Sequence, residues 1–137
     1  GDESARNLIV EGTQGDATLR SFMNWEDIQN DPETRKLLEH WQKLGQFRRD
    51  HLSVGAGSHQ MISEAPYLFS RTYSKANVSD KVIVGLNLET GPKELAVGNI
   101  FEDGTMLRDA YSDSQTSVSG GKIELDTPFS IVLLEKI

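Results

Sequence analysis

Lys81-Val82-Ile83-Val84-Gly85-Leu86-Asn87-Leu88 decides the fold. Val82, Val84, Leu86 and Leu88 fall on one face, and Ile83, Gly85 and Asn87 on the other. This is the period of two that a β-strand imposes on its side chains. The same alternation runs outward from His59 to the end of the chain, in Leu95 and Val97 and in Ile123 and Leu125. Phe129 to Leu134 is apolar on both faces and reads as a central strand. Turn chemistry separates the runs at Glu89-Thr90-Gly91-Pro92, Asp103-Gly104 and Gly120-Gly121, with a softer break from Ala76 to Asp80. About seven or eight short strands at this spacing predict an antiparallel, Greek-key-like β-sandwich over residues 59–137. No internal repeat or low-complexity tract appears.

The chain changes character near residue 55. Residues 31–51 read as one long amphipathic helix. Asp31-Pro32-Glu33 supplies a capping carboxylate, a proline at the first helical position and an acid on the positive end of the dipole. Leu37, Leu38, Trp41, Leu44, Phe47 and Arg48 recur at helical spacing, with Lys36, Glu39, Lys43 and Arg49 outside the stripe. Arg48, Arg49 and His51 stand in the last turn, and Gly55-Ala56-Gly57 closes the element. Ahead of the helix lies a polar, glycine-bearing loop without an initiator methionine. A loop and one helix have too little apolar surface to form a domain, so residues 1–58 are expected to be the end of something larger.

At 137 residues, the chain has room for one modest core, but not for an enzyme barrel of about 250 residues. Its net charge of −7 is spread evenly: 10 acids and 7 bases in residues 1–58, 11 and 7 in residues 59–137. No basic stripe argues for nucleic acid as a partner. No apolar run approaches the ~20 residues of a membrane helix. The absence of cysteine removes disulfides, thiolate metal sites and cysteine nucleophiles, and fits a reducing or an oxidising compartment.

The residues that could carry chemistry each have an ordinary reading beside them. His40, His51 and His59 lie eleven and eight residues apart, whereas helical metal sites place histidines three or four apart. No metal or other cofactor is therefore expected. Asp2, Glu3 and Asp16 could line a cleft for glycoside hydrolysis, but a solvated loop explains them equally. The acids of the β region sit mostly at turns. Gly12-Thr13-Gln14-Gly15 lacks the lysine and spacing of a phosphate loop, and Thr13 and Ser21 have no histidine near them in sequence. Asn77-Val78-Ser79 matches a glycosylation acceptor, a common pattern. Trp41 reads as core. Tyr67, Phe69 and Tyr73 share a strand face and read as sandwich core rather than as a sugar platform.

Gly1-Asp2-Glu3, followed by Gly15-Asp16-Ala17-Thr18-Leu19-Arg20-Ser21-Phe22-Met23-Asn24-Trp25, resembles the end of the catalytic barrel in the α-amylase family of glycoside hydrolases. Asp31 to His51, with Trp41, Leu44, Arg48 and His51, is similar to the eighth helix of that barrel. Gly57 resembles the glycine that opens the family's C-terminal β domain. Lys81 to Asn87 resembles a characteristic strand of that domain, and Asp126 to Leu134 its closing strand. Ser21 and Asn24 depart from the family's commonest pattern, where prolines often stand.

The resemblance implies a parent that hydrolyses starch-like α-glucans and is periplasmic or secreted. The catalytic acids of that family come from earlier barrel strands, and none of those motifs occurs here, so no catalytic residue carries over. At most Arg20 and Trp25 border the cleft. The implied partner is the missing barrel of the same chain, contacted through Trp41, Leu44 and Phe47, with α-glucan as a further partner. The alternative is a free-standing maltooligosaccharide-binding module.

Overall fold

The computed structural model describes residues 25–137. The chain comprises two compact units, Gly1–Trp41 and Gln42–Ile137.

In the first unit, α1 (Trp25–Asn30) is a short helix with Glu26 and Asp27 in its first turn. It corrects the expectation of a continuous loop up to the long helix. No glycine or proline interrupts these six residues, and the two acids suit the positive end of the dipole. Helix α2 (Pro32–Asp50) starts where Asp31 places it. The Asp31 carboxylate accepts hydrogen bonds from the Glu33 and Thr34 amides, each at 3.2 Å, and from the Thr34 hydroxyl at 2.6 Å. These bonds hold its pKa below the usual carboxylate range. Trp41 is 63% exposed and Leu37 57%, which corrects the core reading of Trp41.

The second unit contains the rest of α2, a five-residue helix α3 (Leu52–Ala56) and eight strands. The strands are β1 (Ser58–Ser63), β2 (Tyr67–Lys75), β3 (Val78–Leu86), β4 (Gly91–Ala96), β5 (Met106–Asp109), β6 (Gln115–Ser117), β7 (Lys122–Thr127) and β8 (Ile131–Lys136). Six form one sheet in the order β1-β2-β3-β8-β5-β6, and β4 pairs with β7 in a second. Every pairing is antiparallel. The chain leaves the large sheet at β4 and β7 and returns with β8 between β3 and β5, so the sandwich expectation holds.

The interior lies between the sheets. Leu68, Ile83, Val132, Leu134 and Leu107 of the large sheet meet Leu95, Ile123 and Leu125 of the small one. A second cluster covers the large sheet's other face, where Phe47 of α2 packs with Val82, Leu133 and Tyr111, flanked by Leu44 and Val54. Burying a side chain of Phe47's size stabilises a fold by about 1.5–3 kcal/mol. Phe47 and Leu44 are thus occupied within this unit, which corrects their expected place at a barrel interface. Lys43, assigned outside the stripe, also packs inward: its Nζ donates to the Tyr111 carbonyl at 2.6 Å and lies 4.7 Å from that ring's centroid. The long stem of lysine lets an apolar contact and a charged contact come from one residue.

One face assignment fails at a single backbone angle. Asn87 has φ of +56°, a left-handed conformation that asparagine tolerates better than most residues. The alternation breaks there, so Leu88 joins the interior with Ile83 rather than the outer face with Val82. Gly85 makes room for it. A Cβ at Gly85 would lie 2.8 Å from Leu68 Cδ2 and Val132 Cγ2 and 3.2 Å from Leu88 Cδ1. Gly85→Ala should therefore destabilise the chain by ~1–3 kcal/mol in urea unfolding; an unchanged midpoint would contradict this packing.

Candidate functional site

Helices α2 and α3 are separated by one extended residue, His51, with φ of −116° and ψ of 106°. Its side chain makes no capping bond to α3. The imidazole instead reaches into the sheet and meets a carboxylate at each nitrogen. Nδ1 is 2.9 Å from Asp80 Oδ1 of β3, and Nε2 is 2.6 Å from Glu135 Oε2 of β8. The ring also rests 4.5 Å from the Phe47 ring. Asp80 supplies the missing cap, its Oδ2 accepting the Ser53 amide at 2.8 Å. The other Glu135 oxygen accepts Arg108 Nε at 2.7 Å and Nη2 at 2.6 Å.

The electrostatics follow from this geometry. Burial disfavours a charge on His51, but hydrogen bonds from its ring to the Asp80 and Glu135 carboxylates outweigh it and move its pKa upward. Burial likewise pushes Asp80 up, yet the bonds from His51 and Ser53 prevail and its pKa falls. The two carboxylates take opposite ring nitrogens and do not converge on one point. Among the described residues, no group of three histidines, aspartates or glutamates is arranged to hold a metal.

A second carboxylate site lies at the end of β5. Asp109 is fully buried. Its Oδ1 accepts the amides of Leu133 at 2.8 Å and Tyr111 at 3.1 Å, and Oδ2 accepts the Ser112 hydroxyl at 2.5 Å. A side chain here does what a neighbouring strand does elsewhere, satisfying backbone donors that would be costly to bury alone. The Tyr111 hydroxyl is pushed up by burial and, to a lesser degree, by the Asp109 charge.

The residues singled out from the sequence are scattered. Arg20 lies outside the described residues, as do Asp2, Glu3, Thr13, Asp16 and Ser21. Trp25 is 67% exposed at the start of α1. His40 stands edge-on to Trp41 at 5.7 Å, and His59 packs on Phe69 at 4.7 Å. Tyr67, Phe69 and Tyr73 are half-buried, while Leu68 and Ser70 between them point into the sandwich and are buried. The aromatic face therefore lies outside the sandwich core, a correction that follows from which face of β2 the second sheet covers. Local sequence shows no sign of the His51 cluster, whose partners lie 29 and 84 positions away; Asp109 has local partners two and three residues on, but its bond to the Leu133 amide spans 24 positions.

No protein-family model matches the chain. A curated relative, the periplasmic alpha-amylase of Escherichia coli strain K12, is 35% identical over 85 residues, covering 61% of this chain and 12% of the relative. Among solved structures, an Anoxybacillus alpha-amylase matches with a TM-score of 0.55 and 23% identity, over 73% of this chain and 22% of the other. The first match carries the relationship, and the second carries the fold. The chain resembles the C-terminal part of an α-amylase. It spans about one eighth of the curated relative's length, 12%.

In this amylase-like chain, Asp109→Ala should strip the acceptors from two buried amides. A loss of ~2–4 kcal/mol in urea unfolding is expected, with Asp109→Asn losing less because it keeps one oxygen. A loss under ~0.5 kcal/mol for the alanine variant would place Asp109 among ordinary surface substitutions.

Proposed function

We propose that this chain is a non-catalytic, stabilising β domain of an α-amylase-like glycoside hydrolase acting on starch-like α-glucans, with the chemistry residing in a barrel outside these residues. The observation that carries this reading is the employment of one buried and two half-buried acids. Asp80 and Glu135 hold His51, and Asp109 holds backbone amides. Retaining hydrolysis needs two carboxyls about 5 Å apart across an open cleft, one of them free to act as an acid. Carboxylates committed to structural bonds are poorly suited to that role. The name of the curated relative supports a periplasmic or secreted parent.

The proposed partner is the barrel, and what is left uncovered supports it. Leu37 and Trp41 lie four residues apart on α2, one helical turn, and both are more than half exposed. Side chains at that spacing share a face, and that face is proposed to pack against the barrel. This narrows the interface to the N-terminal part of the stripe, since Phe47 and Leu44 are already used. The purified chain should release no reducing ends from soluble starch, and measurable release would overturn the non-catalytic assignment.

A second reading, binding of maltooligosaccharides, draws support from the outward aromatic face. Tyr67 and Phe69 lie there beside His59 and an exposed Met61. It ranks second because the rings pack on one another at tilted angles, 39° between Tyr67 and Phe69 and 33° between His59 and Phe69. Stacking on a sugar asks instead for an open aromatic face. Calorimetric titration with maltoheptaose should show no saturable binding; binding that Tyr67→Ala abolishes would put this reading first.

A further inference from the structure

We propose that His51, Asp80 and Glu135 form a proton-operated latch that ties the α2–α3 elbow to strands β3 and β8 in mildly acidic solution and releases it as the solution becomes alkaline. The argument begins with donors. A neutral imidazole has one N–H, and its other nitrogen carries a lone pair. His51 presents both nitrogens to carboxylate oxygens, at 2.9 and 2.6 Å. Both contacts are hydrogen bonds only when a proton occupies each side of the ring.

The proton belongs on the imidazole rather than on either acid. Asp80 also accepts the Ser53 amide, and Glu135 also accepts two guanidinium N–H groups of Arg108. Donors of this kind favour the ionised carboxylate. The wider charge field is mixed. Lys81 of β3, Lys136 of β8 and Glu102 line an open groove of about 670 Å³ with His51 and Asp80. Arg108 of β5 also pairs with Asp113 at 3.6 Å, and Arg71 of β2 bonds the Ser53 carbonyl at 3.2 Å. The side chains of the clamp are only 13–20% exposed, so solvent screens the clamp far less than a surface pair.

Loss of the proton breaks one of the two bonds outright and leaves a carboxylate facing a lone pair. The elbow feels this directly, because Asp80 also caps α3 through Ser53 and His51 supplies the carbonyl that accepts the Val54 amide at 3.2 Å. The direction is fixed by linkage. His51, with its pKa raised in the fold, stabilises fully below its unfolded value of about 6.5 and ceases to as pH rises through the folded value. Asp80, with its pKa lowered, stabilises above its unfolded value of about 3.9 and ceases to as pH falls through the folded one. The latch is closed between those limits.

The test is a pH titration of the 137-residue chain by nitrogen-15 NMR of the His51 ring, with amide exchange read at Ser53 and Val54. Below the midpoint both ring nitrogens should carry protons, and the midpoint should lie above about 6.5 and fall in Glu135→Gln. Protection factors at Ser53 and Val54 should drop ~10-fold or more between about pH 6 and about pH 8.5, and stay level in His51→Gln. A wild-type midpoint at or below about 6.5, or wild-type protection that does not change with pH, would overturn the latch whether or not the variants fold.

Discussion

Strands β3 and β8 are apolar on both faces, and both faces have to be taken out of water. The second sheet covers only one. Val132 and Leu134 meet it, while Leu133 and Val82 face away from it. The uncovered side is sealed by Phe47 at the end of α2, with Tyr111 folded in from the turn after β5. Asp109 is what allows that turn to exist, because its carboxylate satisfies the amides that the turn leaves without a strand partner. The helix, the turn and the buried acid thus answer one requirement, and each would be without purpose on a sheet buried on one side only.

The polar contacts refine this arrangement rather than drive it. Lys43 and His51 stand four residues to either side of Phe47, and both reach from the helical segment to the body of the sandwich. Apolar burial is indifferent to direction, so it fixes the helix on the sheet without fixing its rotation. Two directional anchors flanking one apolar plug set that rotation. The interior opposite has a polar anchor at one edge, where Lys93 Nζ donates to the Thr127 hydroxyl and carbonyl and to the Phe129 carbonyl, and around Gly85 it depends on close fit.

What could be read from the sequence was what is local. The start of α2 was legible because Asp31, Pro32 and Glu33 act within one turn. Strands β2, β3, β4, β7 and β8 were legible because alternation and glycine turns are short-range signals, whereas the short β5 and β6 carry too few residues to show a period. Asn87 defeated the pattern because its left-handed backbone shifts the phase by one residue without any glycine to announce it. Tyr67, Phe69 and Tyr73 were misplaced because alternation says that two faces differ, but not which one the other sheet will cover. The His51 cluster depends on three elements converging, and nothing beside His51 in the chain encodes Asp80 or Glu135.

The close approach at Gly57 looks like a natural seam between helix and sandwich: a Cβ there would sit 2.5 Å from the Ser53 carbonyl oxygen and 2.7 Å from that of Thr72. The position of Phe47 moves the seam. A sandwich exchanged between related chains at Gly57 would arrive with Val82 and Leu133 bare, and would depend on a foreign helix to supply a phenylalanine at the right height. The unit that recombination can carry intact therefore begins inside α2. Its last two turns travel with the strands.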